Sequence, residues 1–167
     1  MQIELTDTDF ERCVDFAHKH MEDCVKINAR LKYDQPKNLT FEHALQGYLG
    51  EQAVAHYFDY EFVFKPHDKR QYDILGYEVR SVYYSKAILI THPEDKIANY
   101  ILVSIDKNEM VATLKGWSPL YRCNLWQSNW QTNWRYPCFG MPEHQLWPMD
   151  TLIATPELLE HQNRLNA

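Results

Sequence analysis

The sequence lacks several motifs that would assign a function at once. Glycine is scarce, with five residues among 167, and the chain carries no Gly-rich phosphate loop, nucleophile elbow or dinucleotide fingerprint. The histidines form no metalloprotease-like helix motif. No apolar run approaches the roughly 20 residues that span a bilayer, and the start of the chain lacks the features of a signal peptide. We therefore expect a cytoplasmic protein without a membrane partner.

Cysteine spacing and net charge exclude further classes. The four cysteines, Cys13, Cys24, Cys123 and Cys138, have no close paired spacing with histidines, so the sequence indicates neither a zinc site nor a disulfide framework. We expect reduced and mostly buried thiols. The net charge of −6 argues against a protein that coats nucleic acid, because such domains are usually basic.

The hydrophobic content of 45% suits one globular domain with a proper core, and no repeat or linker interrupts the chain. A first helix is expected over 8–30, with a capping box at Thr8 to Glu11, and a second over 40–58, with Thr40 as N-cap. Short strands are expected at 61–64, 72–75, 77–83, 87–91, 100–105 and 110–116. This order predicts an α/β (α+β) fold with a central mixed sheet flanked by helices.

The stretch from Tyr72 to Ser81 places two carboxylates and a cation within eight residues of a β-like run. If Asp73 ends one strand and Glu78 lies on the next, with a turn at Leu75-Gly76, both carboxylates can converge on one divalent ion. Strand alternation puts Arg80 on the same face as Glu78. An ordinary exposed hairpin has the same pattern, and this alternative stays open.

A third carboxylate, Glu51, falls on the stripe of the second helix that should face the core. Gly47 and Gly50 each cost about 1 kcal/mol relative to alanine inside a helix, which favours a close approach of this helix to another element. Glu51 then shares a cation, or water bound to it, with the downstream pair. The alternative is a carboxylate at the edge of the stripe that reaches solvent.

The ordered set of Gly47 to Glu51 on a helix, then Asp73, then Glu78-Val79-Arg80, resembles the PD-(D/E)xK nuclease superfamily, particularly small phage-encoded members. The runs 100–106 and 110–117 are similar to that family's central strand and its Gly-Trp strand end. The resemblance implies a restriction-endonuclease-like core over about 40–120 in a single nuclease-like domain, 1–167. The N-terminal helix (8–30) and an aromatic-rich extension (121–167) flank that core. A phage protein would act in the host cytoplasm.

The resemblance implies a Mg²⁺- or Mn²⁺-dependent nuclease that hydrolyses DNA phosphodiester bonds. Its metal ligands would be Asp73, Glu78, the Val79 carbonyl and Glu51. Arg80 stands at the position of the family's catalytic lysine. Because arginine stays protonated it cannot act as a base, but it could stabilise the transition state at the scissile phosphate, with the metal activating the water. Lys86 is an alternative source of an ammonium group. The departure at Arg80 leaves open a catalytically inactive nuclease-fold protein that binds nucleic acid or protein.

Two further groups of residues are candidates for contacts with DNA. A basic segment before Asp73 contains Lys65, His67, Lys69 and Arg70, which would contact phosphates or form an ordinary solvated loop. Trp126, Trp130 and Trp134 recur every four residues and would share one face of a helix. They are open to three interpretations: a stacking platform for unpaired bases, packing over the core, or a subunit interface in a homodimer.

Overall fold

The structure, a computed structural model, describes residues 1–26, 40–64, 72–84, 86–125, 130–131 and 138–165. The helices are α1 (Asp7–Lys26), α2 (Phe41–Tyr57), α3 (Leu120–Leu125) and α4 (Pro156–Leu165). The strands are β1 (Gln2–Glu4), β2 (Tyr77–Val82), β3 (Ile88–Thr91), β4 (Asn99–Asp106), β5 (Val111–Pro119), β6 (Trp130–Gln131) and β7 (Cys138–Pro142). Short 3₁₀ helices span Glu143–Gln145 and Met149–Thr151.

The main sheet is mixed, with the strand order β1-β5-β4-β2. β2 and β4 are parallel, in a register that pairs Tyr77 with Asn99 and Glu78 with Tyr100. β4 and β5 form an antiparallel hairpin, and β1 pairs antiparallel with β5. The expected α/β architecture with a mixed sheet is confirmed. Because β2 and β4 run the same way, the residues just before each strand lie at the same end of the sheet.

The two sides of the main sheet face different cores. On one side α2 packs on β2, β4 and β5, and α1 packs on α2. On the other side Tyr100 and Leu102 of β4 join a smaller cluster with residues of the second sheet, whose strand order is β3-β7-β6. The second sheet was not expected. The sequence predicted β3, at 87–91, but not its short partners β6 and β7, which are identified only by pairing with a distant part of the chain.

The contact between α2 and β2 is close at Gly50. A Cβ built on Gly50 would lie 2.6 Å from Ser81 Cβ, whereas nothing lies within 4 Å of a Cβ built on Gly47. Ser81 Oγ donates to the Gln46 carbonyl at 2.8 Å, and the Gln46 amide donates to the Ser81 carbonyl. The expected close approach is therefore correct for Gly50 and wrong for Gly47.

The sequence predicted most helices and strands correctly, and it failed where a strand depends on pairing with a distant part of the chain. Thr40 is the N-cap of α2, since its side chain accepts from the His43 N–H. The expected strand at 61–64 is wrong, because these residues have no regular structure, and 72–75 contributes only a bridge between Ile74 and Tyr77. Residues 27–30 of the expected first helix lie outside the described residues.

The N-terminus of α1 is capped by Thr6 and Asp9 rather than by the expected box at Thr8. The Asp9 carboxylate accepts from the Thr6 N–H (2.9 Å) and hydroxyl (2.7 Å), and Thr6 Oγ1 accepts from the Asp9 N–H (3.1 Å). His56 of α2 lies 3.0 Å from the same carboxylate. Burial raises the pKa of Asp9, but these bonds from Thr6 and the interaction with His56 outweigh it and lower the pKa.

Asp9→Ala is expected to lower the free energy of unfolding by about 1 kcal/mol, because it removes a helix cap. Since the pKa of Asp9 is lowered on folding, its contribution is present above the ordinary value of 3.8 and is lost as pH falls through the folded value. Urea unfolding at pH 7 and at pH 3 measures this. Asp7→Ala, an exposed residue of the same turn, is the control, and an equal loss in both variants would contradict the capping role.

Within the described ranges, no helix is both long enough and apolar enough to cross a membrane.

Candidate active site

The site begins at a tight turn that precedes β2. Ile74 and Tyr77 exchange backbone hydrogen bonds across Leu75 and Gly76, whose φ angles are 46° and 84°. Two successive positive φ angles define the turn that best matches the twist of paired strands, and glycine adopts that conformation without strain. The expected turn at Leu75-Gly76 is therefore confirmed, and it folds the chain back so that Asp73 lies beside β2.

Asp73 is anchored to β2 through the backbone. Its Oδ2 accepts from the Val79 N–H at 2.8 Å, and its own N–H donates to the Tyr77 carbonyl at 3.1 Å. Among the charged neighbours of Glu78, Asp73 has the largest single effect on the pKa of Glu78. The structure thus brings Asp73 and Glu78 together, as the sequence predicted.

Glu78 is 6% exposed and lies between two cations. Lys96 Nζ donates to its Oε1 at 2.8 Å, and Arg80 Nη1 lies 3.7 Å from its Oε2. Burial and then the negative charge of Asp73 raise the pKa of Glu78, although Lys96 and Arg80 oppose this. The two carboxylates therefore repel each other, and the charges of Lys96 and Arg80 offset part of this repulsion.

Arg80 is held by contacts on several sides. Its Nη2 donates to Asp95 Oδ2 at 3.3 Å, its Nη1 donates to the Val79 carbonyl at 3.4 Å, and its guanidinium lies 5.1 Å from the centre of the Tyr100 ring. Burial lowers the pKa of Arg80, but Asp95 and the two carboxylates of the site outweigh it and raise the pKa. Arg80 is thus a fixed positive charge beside Glu78.

Asp95 and Lys96 come from the loop between β3 and β4, and sequence reasoning missed both. Asp95 Oδ2 accepts from the His92 N–H at 2.9 Å, and the Lys96 carbonyl accepts from the Tyr100 hydroxyl at 2.9 Å, which fixes this loop against β4. The signal was the charged run before the strand 100–105. Parallel pairing of that strand with β2 would have placed the run beside Glu78.

Glu51 lies on the helix that covers the opposite side of the main sheet from Glu78 and Arg80. Gly50 contacts Val79 and Ser81, so these residues of β2 point toward α2, and alternation directs Glu78 and Arg80 to the opposite side of the sheet. Glu51 instead lies near Cys13 of α1, whose pKa is raised to about 12 by burial, then by Asp9 and Glu51. The role expected for Glu51 as a metal ligand beside Asp73 and Glu78 is therefore not supported.

The other predicted residues lie away from the pair or outside the described residues. Lys86 is exposed and follows the far end of β2, so it lies at the opposite end of that strand from Glu78. Trp130 is 37% exposed on β6 and packs on Phe139, with 4.8 Å between ring centres. Its expected helical placement is wrong, because β6 pairs with β7. Lys65, His67, Lys69, Arg70, Trp126 and Trp134 lie outside the described residues.

The network as a whole offers oxygen ligands and fixed cations. Among the described residues, no group of three or more His, Cys, Asp or Glu side chains is arranged to hold a metal ion. The Asp73 and Glu78 carboxylates and the Val79 carbonyl supply oxygen atoms, the type of ligand that Mg²⁺ prefers. Comparison of the chain with known proteins finds no family, no curated protein and no solved structure that it matches.

Proposed function

We propose that the chain is a metal-dependent nuclease that hydrolyses DNA phosphodiester bonds at the Asp73–Glu78 pair. The observation that carries this proposal is the pairing of two carboxylates beside two fixed cations at one end of the sheet. The mixed sheet with helices on one side of it is compatible with the restriction-endonuclease-like core that the sequence resemblance implies.

The charge of the site supports the proposal. Asp73, Glu78 and Asp95 face Arg80 and Lys96, so the described network carries a formal charge of −1, three acids against two bases. One divalent ion would change this to +1 and make the site attractive to a phosphate. When bound, Mg²⁺ would polarise the phosphate and lower the pKa of a coordinated water. Asp73, Glu78 and the Val79 carbonyl would hold it.

The two cations have different roles in this proposal. Arg80 is anchored by Asp95, whose side chain is 1% exposed, and it offsets the charge of Glu78. Lys96 has a flexible side chain that is 29% exposed, so its ammonium group can move from Glu78 to a phosphate oxygen. Lys96 therefore stabilises the negative charge that builds up on the phosphate. Arg80 does not have this role, because its contact with Asp95 holds it in place.

The direct test is cleavage of end-labelled single-stranded, double-stranded and branched DNA in Mg²⁺, in Mn²⁺ and in EDTA. We expect cleavage of at least one substrate in either metal and none in EDTA. Equal cleavage with EDTA would overturn the metal-dependent mechanism, because Asp73 and Glu78 would then act without a cation.

Lys96→Ala is expected to lower the cleavage rate by about a hundredfold or more, the usual loss for one group that stabilises transition-state charge. Single-turnover rates in Mg²⁺ measure this. Lys86→Ala is the matched control, since Lys86 is an exposed lysine at the other end of β2. The role of Lys96 is wrong if both variants cleave at the wild-type rate.

The contacts that the charged residues already make with one another favour a second candidate function. Both oxygens of Glu78 already have a cation nearby, and Asp73 Oδ2 already accepts from Val79. Such a network also suits a nuclease-like fold that binds nucleic acid or protein without hydrolysis. DNA binding by the folded protein, with no cleavage of any substrate in any metal, would support this candidate over the nuclease.

A further inference from the structure

A surface cavity of about 380 Å³ lies between α4 and the turn that precedes β2. Its lining includes two aromatic, one apolar and three charged residues: Tyr60, Tyr72, Leu75, Glu157, Glu160 and Arg164. This volume falls within the range of small-molecule sites, roughly 300–1,000 Å³. The cavity adjoins the candidate active site, because Tyr72 precedes Asp73 and Lys96 Nζ lies 5.4 Å from the centre of the Tyr72 ring.

We propose that this cavity binds one unpaired nucleobase, guanine in preference to thymine, from the DNA strand whose phosphate reaches the Asp73–Glu78 pair. The inference rests on the proposed function and names its substrate: a strand with at least one base out of the double helix.

The aromatic walls suit a base. Tyr60 and Tyr72 line the cavity and are half-buried, and Leu75, 7% exposed, adds an apolar surface. The Tyr60 ring is supported edge-on by His161, with 5.3 Å between centres. Stacking of a base on an aromatic side chain contributes about 1 to 3 kcal/mol. The cavity therefore offers an unpaired base the contacts that it loses on leaving the stack.

The carboxylates select which base binds. Glu157 and Glu160 are acceptors only, so they favour a base edge with several N–H donors. Guanine presents N1–H and an amino group side by side, which matches the two oxygens of one carboxylate, whereas thymine presents one N–H between two carbonyls. Their negative charge also keeps phosphates out of the cavity. Arg164, whose Nε donates to the Glu160 carbonyl at 3.3 Å, places one positive charge at its edge.

Hydrogen bonds join the cavity to the candidate active site. Thr155, next to α4, donates its hydroxyl to the Leu75 carbonyl, and the Tyr77 hydroxyl donates to the Ile153 carbonyl at 2.8 Å. The walls from α4 and the turn that carries Asp73 are thus held together. A base seated in the cavity would fix the position of its neighbouring phosphate, which is how an enzyme converts binding into orientation.

A quaternary ammonium ligand is the competing occupant, because aromatic rings with carboxylates also attract cations. Two positive charges act against it: Arg164 is part of the lining, and Lys96 already lies over the Tyr72 ring. A neutral base meets no such repulsion. The position beside a site for phosphate also favours a nucleotide.

The test is fluorescence anisotropy of two labelled octamers, all-thymine DNA and the same strand with one central guanine, bound to the wild-type protein in EDTA. We expect at least tenfold tighter binding of the octamer with guanine. Glu157→Gln/Glu160→Gln and, separately, Tyr72→Leu are expected to reduce this preference to less than twofold. Glu109→Gln and Tyr121→Leu, at exposed positions away from the cavity, are expected to keep it.

Equal affinities for the two octamers would overturn the inference, as would a guanine preference that all cavity variants retain. The inference would also be overturned if tetramethylammonium chloride and choline chloride displaced the guanine octamer while sodium chloride at equal concentration did not. Cleavage in Mg²⁺ is measured separately on the same octamers. If the protein cleaves the octamers but binds both with equal affinity, the base site is wrong and the nuclease proposal stands. If it prefers guanine through the cavity but cleaves neither octamer, the base site stands and the nuclease proposal is wrong.

Discussion

Asp73→Asn is expected to reduce DNA cleavage by at least about a thousandfold, or about 4 kcal/mol of transition-state stabilisation, and to abolish Mg²⁺ binding. Asparagine keeps an oxygen that can accept from the Val79 N–H, the bond that holds Asp73 at 2.8 Å from β2. The substitution therefore removes the negative charge and one metal ligand while the turn is retained. Single-turnover cleavage and calorimetric titration with Mg²⁺ measure the two losses.

Asp150→Asn is the matched control, because Asp150 is exposed in a 3₁₀ helix away from the site. Melting temperatures of both variants should lie close to that of the wild type. Wild-type cleavage by Asp73→Asn would remove Asp73 from the mechanism, and a large drop in its melting temperature would assign Asp73 to stability instead.

Gly50→Leu is expected to lower the free energy of unfolding by about 3 kcal/mol or more, whereas Gly47→Leu is expected to raise it by a few tenths to about 1 kcal/mol. Both changes replace glycine with leucine inside α2, so the gain in helix propensity is the same. They differ in surroundings, since a Cβ at Gly50 meets Ser81 Cβ at 2.6 Å and a Cβ at Gly47 meets nothing within 4 Å. Relief of the clash requires α2 to move away from β2.

Urea unfolding of both variants, followed by circular dichroism, measures the difference. Failure of Gly50→Leu to fold agrees with the prediction, provided that Gly47→Leu folds normally. A milder pair, Gly50→Ala and Gly47→Ala, keeps the comparison measurable. Equal stability of the two leucine variants would mean that α2 and β2 do not approach at Gly50.

The role of Arg80 bears on the choice between the proposed nuclease and a protein that binds without hydrolysis. Asp95 anchors this side chain, which can never act as a base. If the proposed nuclease function is correct, the cation that meets the phosphate is Lys96, and hydrolysis does not require a lysine at position 80. The Lys96→Ala experiment therefore tests whether Lys96, rather than Arg80, supplies the cation that the proposed hydrolysis needs.

Local chemistry made part of the candidate site predictable. The turn at Leu75-Gly76 was predictable from Gly76, which adopts a positive φ without strain, although Leu75 at 46° has no such preference. This turn places Asp73 beside β2. Lys96 and Asp95 were not predictable in the same way. They lie 18 and 17 residues from Glu78 in the chain, and only the parallel register of β2 and β4 brings their loop to the same end of the sheet.

The sequence by itself determined the local elements: the Thr40 cap, the helix that follows it, and the turn that folds Asp73 onto β2. Only the tertiary structure decided which charges meet. Packing of α2 against Val79 and Ser81 turned Glu78 to the other side of the sheet, away from Glu51 and toward Lys96. The reason is physical: preferences over a few residues shape a cap or a turn, whereas strand order, register and the side that a helix covers depend on burying apolar surface from distant parts of the chain.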